Sequence, residues 1–550
     1  MAKPTRLTQE MIEEYTARGY WDQRGITDIL KQNVEKFPDK EALVDSERRL
    51  TWTELDRVTD AVAMGLLKRG MKRDQAIVAQ LPITGVSLIL LLASHKAGIV
   101  CCLAPLTFRF NEMKHIVKTI GATTVLTPVE LRNTNYFSIA KEIAGDLPQL
   151  KRLFVLSDEP PSEAVSFREL MEEPFDEQEA QRLLKEHAFG PFEVSSVVLS
   201  SGTTGMPKCI EQTGASSRVG GWGIVERAKL TSDDIVGIIA PLSGGPGLQN
   251  FWAAFQAGAK VCLLERFSPD GVLEFIERES VTYLPAIPTQ LIKILKQCDL
   301  SQCALSSLRA VRTGAAAFDA AMARETEEKM KCDVLIAGGS QETYSFAQSG
   351  LDDPPEKRIT TLGKVFPGNE VKIVDDEGRE VPTGEVGQMC VRGASTSSGY
   401  FGDKEATLAA WGALGMEGWY KTGDLAKFDH EGYLSIAGRK KDMIIRGGQN
   451  IYPAEIENIL LSHPKVSQAV IIAIPDQVLG ERACACIVPM PGETFTSEEM
   501  ISFLTKKGLA VFKLPERLEL MEQFPQLVDG QKVDKISLTK KIVKKVESES

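Results

Sequence analysis

No stretch of this 550-residue chain is long and apolar enough to cross a bilayer. The most apolar run, Val86 to Ala93, is followed at once by His95 and Lys96, and the charged segment Met1 to Tyr20 lacks an apolar core with a cleavage site, so neither a membrane span nor a signal peptide is expected. Positive charge is in deficit too. Lys and Arg number 64 against 75 Asp and Glu, a formal net charge of -11, which argues against nonspecific nucleic-acid binding while leaving room for a few local cations around an anion. The ten cysteines include adjacent Cys101-Cys102 and the pair Cys484-Ala485-Cys486 but show no C-x-x-C spacing and no metal ladder, so reduced, mostly buried thiols in a cytoplasmic protein are expected. Internal repeats and low-complexity segments are absent. What remains is ordinary globular composition, 43% hydrophobic and 25% charged, in a chain too long for one core, which predicts two or more domains.

The most specific feature present is Leu199-Ser200-Ser201-Gly202-Thr203-Thr204-Gly205-Met206-Pro207-Lys208. It follows the apolar run Ser196-Val197-Val198-Leu199, so it should leave the end of a buried strand, where open α/β sheets place their ligands. Glycines at 202 and 205 let backbone N–H groups face an anion, the hydroxyls of Ser200, Ser201, Thr203 and Thr204 add donors, and Lys208 adds a point charge. That chemistry suits a polyphosphate. The spacing is not G-x-x-x-x-G-K-[ST], which excludes a P-loop and a GTPase-like reading.

From Ala76 to Ile336, short apolar runs alternate with longer amphipathic stretches: Ala76–Ala79, Thr124–Leu126, Leu153–Leu156, Val197–Leu199, Val236–Ile239, Val261–Leu264 and Val334–Ile336. The alternation predicts βαβ units and mostly parallel sheets covered by helices, an α/β class. After Thr361 the texture becomes turn-punctuated β, as in Val371-Lys372-Ile373-Val374-Asp375-Asp376-Glu377-Gly378, whose Asp-Glu-Gly turn suggests a hairpin in a β-rich subdomain. A boundary is expected near Arg439-Lys440-Lys441-Asp442. It divides the chain into a large domain, residues 1–438, and a small α+β domain, residues 439–550, with Pro453 starting a helix and Ala469–Ile472 forming a strand.

Further polar clusters, far apart in sequence, carry chemistry that agrees with the glycine loop. Ala337-Gly338-Gly339-Ser340-Gln341-Glu342-Thr343 follows a buried strand and offers one carboxylate, Glu342, suited to a hard divalent cation. Tyr420-Lys421-Thr422-Gly423-Asp424 offers Asp424 as an acceptor for ribose hydroxyls, Gly438-Arg439-Lys440-Lys441-Asp442 puts cations at the domain joint, and Gly530-Gln531-Lys532-Val533-Asp534-Lys535 puts another near the C-terminus. Together, in this order, they resemble the adenylate-forming superfamily of acyl-CoA ligases, aryl-acid adenylating enzymes and luciferases. The resemblance runs from Leu50-Thr51-Trp52-Thr53-Glu54-Leu55 to Lys532. Tyr15-Thr16-Ala17-Arg18-Gly19-Tyr20-Trp21 and Phe512-Lys513-Leu514-Pro515-Glu516-Arg517 look most like the stand-alone aryl-acid AMP ligases and the CoA ligases for cyclic carboxylates.

The resemblance implies a reaction in two halves: a carboxylate attacks the α-phosphate of ATP to give an acyl-adenylate and pyrophosphate, then a thiol displaces AMP to give a thioester. Positioning and cationic stabilisation should supply most of the first half. By resemblance, Ser200, Thr203, Thr204 and Lys208 hold phosphates, Glu342 binds Mg²⁺, Asp424 and Arg439 hold the ribose or phosphate, and Lys532 bridges the carboxylate and the α-phosphate. Gly314, Ala315 and Ala316 line the adenine and acyl pockets, and Ala337, Gly338 and Gln341 bind the nucleotide, Gly338 at adenine and Gln341 at the α-phosphate. For the second half the small domain turns about a hinge at Lys441, and Gly447 and Gly448, in Arg446-Gly447-Gly448-Gln449-Asn450, help form the CoA tunnel. Neither a covalent enzyme intermediate nor a catalytic histidine is needed, and five histidines fit that.

Departures from the family pattern bear on the site. Gly338 replaces the aromatic that stacks on adenine, Gln341 the threonine before the metal-binding glutamate, Gln531 the glycine before the lysine, and Val528 a threonine. In the acyl segment, Leu242-Ser243 stand where dihydroxybenzoate-activating members have a polar His-Asn pair. A pocket for a catechol needs a buried polar partner, so Leu242, Ser243, Gly245 and Gly247 point to an unsubstituted ring, aromatic or alicyclic, while Trp222 suits a pocket wall or a core position equally. The sequence therefore predicts an AMP-forming ligase that joins a small cyclic carboxylate such as benzoate or cyclohexanecarboxylate to CoA, with ATP, AMP and Mg²⁺, in either direction. Two alternatives stay open: an aryl-acid adenylating enzyme that loads a carrier protein, and a nucleotide-binding sensor without catalysis. The chain ends soon after Lys532 with no fused carrier domain, so the thiol is expected to arrive as CoA or on another protein.

Overall fold

The computed structural model describes residues 4–200, 206–314, 318, 320–412, 417–447, 449–476, 478–526 and 533–549. Two large sheets dominate. The seven-stranded sheet runs in spatial order from Lys208–Thr213 through Val194–Ser200, Val100–Leu103, Ala76–Ala79, Thr124–Pro128 and Arg152–Leu156 to Val165–Ser166. All its pairings are parallel except the first, which is antiparallel and sets Ser200 opposite Lys208. The nine-stranded sheet has a parallel centre, from Glu41–Val44 to Asp333–Ser340, and antiparallel edges in Arg49–Thr51, Tyr344–Gln348 and Lys364–Val365. All seven apolar runs read as strands lie in these two sheets, with Ile239 and Leu264 one residue past a strand end.

The sheets share a core because the helix between them is buried on every side. Every residue of Gly85–Ala97 is buried, and Leu88, Leu90 and Leu92 belong to one cluster with Ile77, Leu103 and Val198 of the first sheet and Val236, Val261 and Leu335 of the second. Burying Lys96 at its end is offset by paired carboxylates, since its Nζ donates to Asp56 Oδ1 and Asp60 Oδ1, each at 2.6 Å. The Leu50–Leu55 motif is a helix start. Thr51 Oγ1 accepts from the Glu54 N–H at 3.2 Å while Glu54 Oε2 accepts from the Thr51 N–H at 2.8 Å, which satisfies two otherwise orphaned donors.

Beyond Thr361 a four-stranded antiparallel sheet forms from Asn369–Val374, Gly387–Gly393, Tyr420–Phe428 and Leu434–Arg439. The expected turn exists, with Asp375 Oδ1 accepting from the Glu377 and Arg379 N–H groups, but its hairpin is a single bridge between Val374 and Glu380. The long partner of Asn369–Val374 is Gly387–Gly393, because the apolar face of the first strand pairs with the buried second. A five-stranded sheet gathers Ile444–Arg446, Gln449–Ile451, Val466–Asp476, Gly480–Pro489 and Arg517–Leu520 around cores that start at Ile444. Pro453 does begin a helix there, Pro453–Leu461. All ten cysteines carry free thiols, and eight are buried. Among the described residues no helix is long and apolar enough to cross a membrane.

Candidate active site

The strand Asp333–Ser340 ends in a tight turn that returns as Tyr344–Gln348, and the turn is fixed by its own hydroxyls. The Ser340 N–H donates to Thr343 Oγ1 at 3.1 Å, and the Glu342 N–H donates to Ser340 Oγ at 3.2 Å. Two outside segments then pin it: Gln212 Nε2 donates to the Gln341 carbonyl at 3.0 Å, and the Ser397 N–H to the Glu342 carbonyl at 2.9 Å. The Glu342 side chain is only 7% exposed. Its Oε1 lies 3.4 Å from Ser200 Oγ and 3.4 Å from the Tyr400 hydroxyl, which in turn lies 3.3 Å from Lys208 Nζ. Three residues singled out in the sequence thus meet from two separate sheets: Lys208 and Glu342 share the Tyr400 phenol, and Ser200 reaches the Glu342 carboxylate.

Tyr400 was not foreseen. Its ring carries the Lys208 ammonium 4.6 Å from the centroid and meets Trp411 edge-on at 5.4 Å, while Trp411 packs against Tyr420 at 4.9 Å. Burial and then the Glu342 carboxylate hold both phenols well above the usual tyrosine range, so Tyr400 and Tyr420 stay protonated as donors toward that carboxylate. The donors around Glu342 are all oxygens, which suits a hard cation such as Mg²⁺ that takes its remaining ligands from phosphate and water. Among the described residues no group of three or more His, Cys, Asp or Glu could hold a metal, and Glu342 is the carboxylate that Ser200 and Tyr400 meet here.

Other expected residues fall in three sets. Gly314 and Ala337 are cross-strand partners, so the two segments assigned to adenine and acyl contacts lie side by side. Gly338 faces Leu362 Cδ1, which a Cβ at that position would meet at 2.6 Å, so an aliphatic side chain occupies the space beside the missing aromatic. Asp424 and Arg439 are also cross-strand partners and form an ion pair, Arg439 Nε to Asp424 Oδ1 at 2.7 Å. In the acyl segment Leu242 is buried and, with Ser243 and Leu248, borders a small cavity against Cys101, Leu103 and Val198. Gly245 and Gly247 open the helix Gly245–Ala257, and Gly247 is required there because a Cβ would lie 2.4 Å from the Pro241 carbonyl oxygen. Lys441 is exposed in a short 3-10 turn, and Gly447 makes a φ of +54° turn whose N–H donates to the Leu479 carbonyl. Neither makes a hydrogen bond or ion pair with the Glu342 group among the described residues. Thr203, Thr204, Ala315, Ala316, Gly448 and Lys532 lie outside the described residues. Trp222 is 39% exposed, so it is not a core residue, and the glycines around it let the helix pack on its other faces.

Residues 30–401 match the model of the AMP-binding enzyme family and residues 455–530 that of the AMP-binding enzyme C-terminal domain. The chain belongs to the AMP-binding enzyme family. Within it, the chain is 31% identical over 535 residues to a medium-chain fatty-acid–CoA ligase of Escherichia coli (strain K12), covering 97% of this chain and 93% of the relative. It is 30% identical over 549 residues to a 2,3-dihydroxybenzoate-AMP ligase of Bacillus subtilis (strain 168), covering 98% of each. Its fold matches the crystal structure of an anthranilate CoA ligase in complex with anthranoyl-AMP at a TM-score of 0.83, with 24% identity over 94% of this chain and 97% of that one. This AMP-binding enzyme is therefore an adenylate-forming acid ligase, and the expected α/β class holds. Ser200, Lys208, Gly314 and Glu342 lie inside the first matched stretch, while Asp424, Arg439 and Lys441 lie between the two and Lys532 just beyond the second.

Proposed function

We propose that this enzyme activates a small cyclic carboxylate with ATP and passes the acyl group to CoA. The observation that carries the reading is the meeting of Ser200, Lys208 and Glu342, the last just past the strand on which Ala337 pairs with Gly314, with a buried Leu242 in the acyl segment. Lys208 and the adjacent hydroxyl loop hold the phosphates, and Tyr400 keeps the Lys208 ammonium and the Glu342 carboxylate at fixed positions. Mg²⁺, when bound at Glu342, neutralises phosphate charge. Asp424 accepts from the ribose hydroxyls, and Arg439, already paired with it, keeps that carboxylate oriented. Lys532 provides the second cation at the α-phosphate. Residues 439–550 form a mobile domain hinged at Lys441 that brings Gly447 and Gly448 to the thiol in the second half-reaction.

The apolar Leu242 favours an unsubstituted ring face over a catechol, because a buried hydroxyl without a partner is strongly disfavoured. CoA is favoured as acceptor by likeness to ligases named for CoA. A carrier-loading role is the second reading, favoured by likeness over 98% of both chains to an aryl-acid AMP ligase. Incubation with ATP, Mg²⁺, cyclohexanecarboxylate or benzoate, and free CoA separates the two. Formation of the acyl-CoA, seen by mass spectrometry, is expected; adenylate accumulation without thioester until a phosphopantetheinylated carrier is added would establish the second.

A further inference from the structure

Arg312 lies on the strand Ala310–Gly314, two residues before the glycine that pairs with Ala337, and is 5% exposed. A guanidinium this deep normally has a carboxylate beside it, because leaving a buried charge uncompensated is strongly unfavourable. Among the described residues it has none. Its Nε donates to Gln348 Oε1 at 2.6 Å and its Nη2 to Ser345 Oγ at 2.5 Å, and Ser345 Oγ donates onward to Gln249 Oε1 at 2.6 Å. Both partners, and Gln249 beyond them, are neutral. Burial lowers the affinity of this guanidinium for its proton, and the Tyr283 phenol acts the other way.

Asn250 Oδ1, on the helix that carries Gln249, is buried without a hydrogen-bond partner, and the network closes on the Tyr283 hydroxyl, which lies beside the Gln348 side chain. Its position ties it to the acyl segment. Gln249 is two residues past Gly247, its amide nitrogen lies 3.1 Å from the place of a Cβ on Gly245, and Ser345 is three residues past Glu342. Helix Gly245–Ala257 and strands Ala310–Gly314 and Tyr344–Gln348 thus deliver a cation behind the residues assigned to the acid.

Resting on the ligase reading above, we propose that Arg312, with Gln348 and Ser345, selects an acid bearing a second carboxylate on its ring, remote from the one that is adenylated. Leu242 meets the ring face, the reacting carboxylate points toward the Glu342 and Lys208 side, and the second carboxylate supplies the negative charge that Arg312 lacks. A bidentate guanidinium–carboxylate contact is directional enough to set which ring isomer is taken. This refines the unsubstituted ring that Leu242 alone favours.

The test is carboxylate-dependent pyrophosphate–ATP exchange with matched pairs: benzoate against phthalate, isophthalate and terephthalate, and cyclohexanecarboxylate against the three cyclohexanedicarboxylates. Wild type and Arg312→Gln and Arg312→Lys variants are compared. Wild type is expected to prefer one dicarboxylate isomer by at least about tenfold in kcat/KM. Arg312→Gln should abolish that preference through KM for the dicarboxylate, leaving monocarboxylate turnover within about threefold, and Arg312→Lys should restore part of it. A merely structural Arg312 would move both acid classes alike, and that result overturns the proposal. Exchange with monocarboxylates and none with any dicarboxylate overturns it while sparing the ligase reading, whereas no exchange with either class overturns both. Should Arg312→Gln fail to fold, wild-type selectivity and the rise in Tm given by each acid with AMP decide between the same outcomes.

Discussion

Adding one methyl group at Gly339 should disable the site, while adding it at neighbouring Gly338 should not. The two glycines share a strand and differ in what a side chain would meet. At Gly339 a Cβ would lie 2.4 Å from the Tyr344 carbonyl oxygen and 2.9 Å from Ser345 Cα, both backbone atoms that cannot rotate away. The register of the two strands is already irregular between Gly338 and Gly339, and Tyr344 already holds a φ of +57°, so the return strand must move as a body. The overlap is close to 1 Å, and overpacking of this kind costs about 1–3 kcal/mol. The displaced piece carries Glu342, and a shift of about 1 Å in a catalytic group can lower rates by about 100-fold. At Gly338 the contact at 2.6 Å is Leu362 Cδ1, the far end of a side chain that can turn, so Gly338→Ala should cost less than about 1.5 kcal/mol and leave the rate within a few-fold. Urea unfolding gives the stabilities and pyrophosphate–ATP exchange the rates. Equal behaviour of the two alanine variants, or an active Gly339→Ala, would refute the reasoning that backbone contact holds Glu342 in place.

Tyr400→Phe should keep the fold, since the ring still packs on Trp411, but strip the shared hydroxyl from Lys208 and Glu342; with contacts as long as 3.3–3.4 Å, a loss of about 1–2 kcal/mol, or about 5- to 30-fold in kcat/KM for exchange, is expected with little change in Tm. Glu211, 3% exposed and bonded by the Thr5 N–H and hydroxyl, is pushed by burial up to about 7 from 4.5. It is protonated in the fold where the unfolded chain is ionised, so its contribution of about 3 kcal/mol is full below pH 4.5 and lost as pH rises through 7, and Glu211→Gln should flatten that slope in urea midpoints against pH. His95, wedged between Phe189 and Trp252, is lowered by burial from 6.5 to about 3. Its contribution runs the other way: it is full above pH 6.5 and lost as pH falls through 3, so His95→Gln should reduce the acid sensitivity of the wild type.

The large sheets were legible because a buried parallel strand needs a short apolar run, and each of the seven runs met that need. Ser200, Lys208 and Glu342 were legible for a different reason: hydroxyls, a lysine and a lone carboxylate sat in glycine-punctuated turns just past such strands. Tyr400 was not, because its role arises only when a residue 58 positions from Glu342 is folded back between Trp411 and Lys208. Arg312 was hidden for a similar reason, as a lone arginine in an apolar strand announces nothing until its partners prove neutral. Trp222 misled in the opposite sense: a tryptophan among glycines suggests packing, yet those glycines serve Tyr344, Trp252 and Phe366, which approach the helix from its other faces. The Asp375–Gly378 turn was read correctly, but turn chemistry alone does not choose a strand's long partner, which the buried face of Gly387–Gly393 decides.

The most direct test of the proposed activity is exchange of labelled pyrophosphate into ATP, measured across benzoate, cyclohexane and cyclohexene carboxylates, ring dicarboxylates, a dihydroxybenzoate and straight-chain acids, for wild type and Lys532→Ala. Exchange that depends on a cyclic acid and disappears in Lys532→Ala is expected. ATP binding without exchange for any of these acids would contradict it.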